Sequence, residues 1–595
     1  MLPVSPAFLA ALGNTPRQWA WRLMVDWTCN ALEPRPTVTS SPSYDATNLP
    51  PDNVATGIPE CRGYAVLDRG CTADGSWYAI PPEDLASTRL NPGWWSATTS
   101  NANREFSDPP YVEVWYPESR PRKAGLIHVA GARRYGGLGR VRIHYRATGA
   151  SDWTLLGEYD FDGWYVEAQL PSVLELRAVR VSVLRTAEPN DYARIYEVDA
   201  LWREEFREGA VSRLDVTRRL EYLAAVGYPL GTVAASEVQA EILVDDPSAY
   251  ALYLQPGARL LPYWGLLTSE GWEWVGQGAY FADEWAQGTG MLKVRGRDRM
   301  GLMALREMPP RLLHRLTLGQ ALRHVAHYAW VHDDDVVVDS SVDTDPYEWI
   351  VMQGSPAEAT NELARASLHH VWFGVGGELH IRRRTAVPAP GATISDAEIL
   401  GAPELRVQEV ATRVIVDWRA PSRAPCQDLA SVDAEELTGE AMDLAYSKSP
   451  AVAVSGLDFT GTVSDLLCDE WECTVTASGG QEDERLKVLG QPLALTERSF
   501  KAEDEDLVRR LGSREIRLDC PVWAKAAGQG FAERILSYLS AFRYRLDLEL
   551  PPYPHWEPGD VITLDSDRLH LSGDYLVISI SLGAGDVMRV GMVEV

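Results

Sequence analysis

The sequence predicts a mainly β protein with α+β parts, and three observations carry that expectation. Short apolar runs of period 2 recur along most of the chain between Gly- and Pro-rich turns. A Pro/Ser/Thr-rich stretch, Glu33 to Pro42, cuts in directly after the first such strand. Helical periodicity is confined to a few segments, of which Thr317 to Ala329, Ser355 to Ser367 and Val522 to Ser540 are the longest.

Composition narrows the function classes. A chain of 595 residues has room for roughly three to five domains of about 150 residues. A hydrophobic content of 45% supports a large core. The net charge of −28 argues against a nucleic-acid coat, because phosphate binding needs a basic surface. Only six of the 56 basic residues are Lys, a bias without functional content. Many of the 21 Trp sit in strand-like runs, where they could serve as core, interface or ligand platform. Seven scattered Cys make no disulfide framework, although Cys61 and Cys71 could bridge one loop. Cys468 and Cys473 lack a second pair at zinc spacing. No apolar run reaches the roughly 18 residues of a membrane span. The segment Met1 to Trp19 has no basic n-region, so no secretory signal is expected.

The first strand is Arg17 to Trp27, with Trp19, Trp21, Leu23, Val25 and Trp27 on one face. A linker this early, with a self-contained region behind it, reads as the start of an insertion. From about Thr39 to Arg203 the texture is all-β. Runs such as Tyr111–Trp115, Leu126–Val129, Arg140–Tyr145 and Val179–Val183 recur between turns, as in a sandwich. Five segments in this region, Asp52-Asn53-Val54, Trp94–Ala97, Pro110–Val114, Ser151–Gly157 and Ile195–Val198, resemble a discoidin-type domain of the galactose-binding-like jelly-roll superfamily. Two departures stand out. Thr56 occupies the place of an acidic residue in that family, so calcium binding is not carried over. An extra loop, Ile58 to Leu90, holds Cys61 and Cys71.

The resemblance implies ligand binding by loops at one end of the sandwich, and the candidates are Trp77, Tyr78, Arg133, Arg134, Tyr135, Trp164 and Tyr165. Aromatic rings stack on the apolar face of a sugar while Arg fixes its hydroxyls. The same residues would also pack against a neighbouring protein, and the sequence leaves both readings open. Trp94, Trp95, Trp115 and Trp153 read as core or sandwich-edge residues.

Val238 to Val244 resumes the half-buried strand pattern. In Pro256 to Leu305, a Pro256-Gly257-Ala258 turn is followed by a strand, a Gly-rich excursion and a strand ending in Gly296-Arg297-Asp298-Arg299. A Leu-rich helical pattern comes next. His324, His327 and His332 have neither the spacing nor the acidic partner of a zinc helix, so no metal is expected there. Ser355-Pro356-Ala357-Glu358 is a capping box, and Gly374 to Gly377 forms a hairpin tip. Thr412 to Trp418 reads as a strand and the acidic stretch Ala424 to Leu444 as a loop or surface excursion. Ala451 to Thr476 and Arg485 to Glu497 are strand-like. Near the C-terminus come a helix, the charged strand Phe542–Leu550, a Pro558-Gly559-Asp560-Val561 turn, the strand Gly573–Ile580 and a closing strand, Met588 to Val593.

This order of features resembles the hub proteins of phage tail tips and baseplates, most specifically in its C-terminal part. The resemblance implies two hub β-barrel regions with a small α/β module, plus the inserted β-sandwich. The expected layout is 1–37 and 204–306 for the first barrel, 38–203 for the insert, 307–400 for the helix–hairpin module and 401–595 for the second barrel. It further implies a structural protein of the virion, without enzymatic activity, cofactor or metal. The implied form is a homotrimer assembled in the host cytoplasm, joining a sixfold tail tube to a threefold tip. Its implied partners are a distal tail protein, a tape-measure protein, tail fibre or tip proteins and possible host-surface glycan. DNA would be met only as passing cargo, and no membrane span is implied. The alternative is a secreted carbohydrate-active enzyme or a lectin with a carbohydrate-binding module. None of the 84 acidic residues stands out by context as a catalytic pair, and no GxSxG, HExxH, P-loop or GxGxxG motif is present.

Overall fold

A computed structural model of the chain describes residues 1–27 (except 15), 37–41, 65–66, 71–72 and 94–595. The last span excludes 120, 132–137, 162, 164, 224–227, 229, 252, 255, 309, 328–330, 332–334, 343, 469–470, 482, 521, 524–527, 584 and 586. Strands dominate, with a few short helices between them.

The architecture is organised by one sheet of 14 strands drawn from both ends of the chain. Trp19–Asp26 lies between Arg203–Arg207 and Arg259–Thr268, and Tyr280–Gly288, Met291–Arg297, Glu237–Leu243 and Val211–Arg219 follow in order. The C-terminal strands Leu571–Leu582, Met588–Glu594, Tyr544–Leu550 and Leu400–Val407 continue the same sheet. The two groups join where Val216–Arg219 pairs antiparallel with Ser579–Leu582. A single core runs beneath them, so that Leu23, Trp264 and Leu292 share a cluster with Leu548, Val577 and Met588.

Alternation in the first strand decides which face is inward. Leu23, Val25 and Trp27 are fully buried, and Trp19 and Trp21 pack half-buried against the same core. The Gly296–Arg299 tetrad acts as a corner. A Cβ on Gly296 would stand 2.7 Å from the Phe281 carbonyl oxygen, so only glycine lets the strands approach. Arg297 makes a two-pronged ion pair with Asp283 at 2.7 and 3.0 Å. Asp298 caps the helix Arg299–Ala304 by accepting from Met300 and Gly301, and it also accepts from the Ser236 amide at 2.9 Å.

The all-β region forms a separate two-layer sandwich with its own core around Trp94, Ile127, Ile143 and Val181. The 22-residue strand Tyr165–Thr186 serves both layers. Its first part pairs with Arg122–Gly131, four residues (170–173) bulge out, and its later part pairs with Tyr111–Trp115 and Leu138–Ala147.

The helix–hairpin module is built around Leu318–His327 and Pro356–Ser367. The second helix starts on the expected capping box, with Ser355 and Glu358 bonded reciprocally. Between Gly374 and Gly377 the hairpin turns as expected, Gly377 taking a φ of 89°. The C-terminal helix is shorter than its sequence period indicates, covering Gly528–Leu539, because Val522–Trp523 is drawn off as a strand against Trp349–Ile350.

Of the two readings of the acidic stretch Ala424 to Leu444, the loop is corrected and the excursion holds: it contains the strands Gln427–Asp433 and Thr438–Ala445. With Ala451–Asp458, Thr462–Cys468, Glu472–Ser478 and the start of Arg485–Glu503, they enclose a small core of Leu429, Val475, Leu486 and Val488. Acidic side chains occupy the outward positions of strands whose inward positions are apolar, and their number hid the alternation. This module leaves and rejoins its parent sheet at one point, where Arg423 pairs with Leu493 and the Ala424 amide bonds the Pro492 carbonyl.

A buried polar knot ties the helix–hairpin module to the large sheet. Glu221, just past the strand Val211–Arg219, pairs with Arg384 and lies 3.6 Å from His370, all three side chains being at most 4% exposed. Burial pushes the Glu221 carboxyl up, but Arg384 and His370 outweigh it and hold it at about 2. Burial, reinforced by Arg384, lowers His370 to about 4. An unfolded chain therefore takes up this proton near pH 6.5 while the folded one resists until about 4, so stability is lost as pH falls through that window. Chemical denaturation should show the wild type losing about 2–3 kcal/mol more than His370→Gln between pH 6.5 and 4. Parallel curves would mean that His370 does not titrate there.

Candidate binding surface of the inserted sandwich

The chain enters and leaves the sandwich at one end. Thr37 pairs with Trp115, Trp115 with Ala178, and Leu201 with Leu126, all at the end nearest the large sheet. The opposite end is formed by the last residues of Arg122–Gly131 and the first of Tyr165–Thr186, where Ala130 faces Tyr165. Leu138, which resumes the chain after residues 132–137, lies against Gly131. Backbone register thus brings the stems of the Arg133–Tyr135 segment and of the Trp164–Tyr165 turn to the same distal end.

Of the seven candidates, Tyr165 alone is among the described residues; Trp77, Tyr78, Arg133, Arg134, Tyr135 and Trp164 lie outside them. Cys61 also lies outside, as does the side chain of Cys71. Tyr165 is 46% exposed and stacks on His128 with ring centroids 5.3 Å apart. Below it, on the same face of the sheet, His128 lies 3.7 Å from Glu167. The hydrogen bonds of Glu167 with His128 and Arg203 outweigh burial and hold its carboxyl at about 2. A flat, pre-oriented phenol beside a fixed carboxylate is chemistry able to stack on a sugar ring and accept from its hydroxyls.

The four other tryptophans divide. Trp94 is fully buried in the core, and the Trp95 side chain lies outside the described residues. Trp115 and Trp153 are half-buried on the outer face of the second layer. They meet edge-on at 5.6 Å, with Arg146 and Arg177 over Trp115 and Arg180 over Trp153. Among the described residues no group of three or more His, Cys, Asp and Glu could hold a metal ion, and no helix is long and apolar enough to cross a membrane. Cys468 and Cys473 face each other across a hairpin.

Sequence reading missed the seam on which the sandwich stands. Trp27 donates its amide to the Trp202 carbonyl at 3.0 Å, and their rings lie 5.6 Å apart. Tyr250, Tyr253 and Trp285 complete this aromatic cluster. Lys123 of the sandwich sets its Nζ 3.2 Å from the centre of the Trp202 ring, and burial lowers its pKa. Arg203 bridges the two bodies, bonding Glu167 of the sandwich at 3.0 and 3.2 Å and lying 3.7 Å from the buried Asp26. The available signal was the mirrored pair Asp26-Trp27 and Trp202-Arg203, which brackets the insertion.

No protein-family model matches the chain, and no curated protein matches it. Among solved structures the chain is similar to the 43 kDa tail protein of prophage MuSo2 from Shewanella oneidensis, with 11% identity, 65% of this chain and 93% of that one covered, and a TM-score of 0.36. It is similar to a tail protein from Neisseria meningitidis MC58, with 10% identity, 66% and 94% covered and a TM-score of 0.36. It is also similar to discoidin II of Dictyostelium discoideum, with 8% identity, 78% and 94% covered and a TM-score of 0.18. Likenesses this distant leave function to be read from the chain's own residues.

Removing the bridge should loosen the sandwich. Arg203→Ala removes the guanidinium that pairs with Glu167 and lies beside buried Asp26, and should cost about 2–4 kcal/mol in unfolding free energy. Limited proteolysis should then cut preferentially near residues 28–36 and 202. Unchanged stability and cleavage would show that the aromatic cluster alone holds the seam.

Proposed function

We propose that the protein is the structural hub of a phage tail tip or baseplate, acting as a homotrimer that joins the sixfold tail tube to a threefold tip. The observation that carries this reading is the interrupted sheet. A strand-rich body assembled from both chain ends encloses a helix–hairpin module and is broken after its first strand by a complete sandwich. The C-terminal series of helix, charged strand, Pro-Gly-Asp-Val turn and two closing strands supports it at the level of sequence. Partners in this reading are a distal tail protein, a tape-measure protein and tail fibre or tip proteins, with the virion tail tip as the location. The work is structural and needs no cofactor, and the acidic character of the chain suits a lumen through which DNA passes without being held. The layout proposed is 1–37 with 204–306, 307–400 and 401–595 as parts of the hub, and 38–203 as the insert. Mass measurement of intact tail tips should give three copies; two, four or six would overturn the trimer.

The insert, in this reading, is a host-contact module. Tyr165 and the stems of the Arg133–Tyr135 and Trp164 segments converge on the end away from the large sheet, where a ligand has access. Single shallow sites of this kind bind with millimolar to micromolar Kd, about −4 to −8 kcal/mol, and three copies on one tip add avidity. Full-length protein on an array of host polysaccharides should bind, and Trp164→Ala and Tyr135→Ala should each lose most of the signal. Equal signals from wild type and variants would reassign these side chains to contact with another tail protein.

A further inference from the structure

Where the helix–hairpin module, the C-terminal helix and the large sheet meet, the surface opens into a cleft of about 190 Å³. Three guanidinium groups, Arg382, Arg384 and Arg543, line it together with His370, and the carboxylates among the lining residues are the Glu594 side chain and the α-carboxylate of Val595. In a chain of net charge −28, three guanidinium groups in one cleft stand out even beside these carboxylates. Each arginine is fixed from behind. Arg382 donates to the Gly559 carbonyl at 2.8 Å and lies over Trp372. Arg543 donates to the Tyr538 carbonyl and covers its ring at 4.5 Å. Arg384 is 2% exposed and pairs with Glu221, and the Tyr538 hydroxyl is its other polar neighbour. Glu594 is itself engaged, accepting from the Tyr544 amide at 3.1 Å.

These tethers leave donors over. Nε and Nη1 of Arg384 and Nε of Arg382 are buried without a hydrogen-bond partner. A buried guanidinium N–H left unsatisfied keeps its desolvation penalty, and a charged group more so, so a site that strands three of them gains by admitting acceptors. We propose that this cleft binds a small oxyanion, a phosphate or a carboxylate, presented either free in solution or at the end of a partner's acidic side chain. Guanidinium planes recognise such groups through paired N–H donors that meet two oxygens at once, whereas chloride offers a single acceptor atom. The inference does not depend on the hub reading.

Two titrations of the full-length protein at constant ionic strength test it, one with inorganic phosphate and one with acetate, each against a chloride control. Saturable binding heat with either anion, and a rise in Tm that chloride does not produce, is expected. Arg384 is too deeply paired to replace safely, so the variants are Arg543→Gln at the wall and Ala386→Glu, which sets a carboxylate at the edge of the cleft. Both should fold and weaken binding at least tenfold. Preference for phosphate would mark a free-anion site, and preference for acetate a socket for a partner's carboxylate. Heat that does not saturate with either anion, or that the variants leave unchanged, overturns the proposal.

Discussion

The strand Trp19–Asp26 is hydrogen-bonded on both sides by segments far away in the chain, Arg203–Arg207 on one and Arg259–Leu266 on the other. Strands in a sheet lie about 4.8 Å apart, so whatever is inserted after residue 27 must return the chain to within one strand spacing of its departure. This constraint shapes the sandwich. Its first described strand, Thr37–Ser40, and its last, ending at Leu201, both stand at the end facing the large sheet. The Trp27 amide to Trp202 carbonyl bond is the point where the circuit closes. A domain whose ends did not meet would have torn the first strand from one neighbour and exposed Leu23 and Val25.

The second excursion obeys the same rule. Residues 424–492 leave and rejoin between Arg423 and Leu493, which are cross-strand partners, so Arg413–Arg423 and the Leu493–Glu503 part of its partner strand keep an unbroken ladder. Both excursions are therefore additions that the host sheets tolerate because pairing is restored at the stem. They differ in how they are secured. The small module relies on continuous strands, whereas the sandwich has its own seam of aromatic rings, Lys123 and Arg203.

Much of the fold was legible because period-2 alternation survives wherever one face is buried. Trp19 to Trp27, Val238 to Val244 and the capping box at Ser355 fall where their patterns place them. Legibility failed where charge masked the pattern. In Thr438–Ala445 most positions are exposed, so apolar Met442 and Leu444 are too few to outline a strand among acidic neighbours. It failed again for sheet partnership. Nothing local to Ser579–Leu582 records that its neighbour is Val216–Arg219 more than 350 residues earlier, since pairing depends on burial and backbone hydrogen bonds that any apolar strand offers. Of the candidate site, the residue types were legible and the convergence was not, because it follows from the register of Tyr165 opposite Ala130.

The mounting of the sandwich bears on what its distal end can do. A module on a flexible tether presents its ligand-binding loops in every direction and transmits no force. Here the same sheet that carries Tyr165 carries Glu167 two residues later and His128 across from it, and Glu167 is held by Arg203, which lies beside Asp26 in the first strand of the large sheet. The path from the candidate surface to the large sheet is thus one strand and one guanidinium long. A charge-assisted pair of this kind is directional as well as attractive, so it fixes orientation in a way that apolar packing of Trp27 on Trp202 alone would not. Orientation matters most in a symmetric assembly, because copies held at one fixed angle can engage a surface together, and freely turning copies lose that effective concentration.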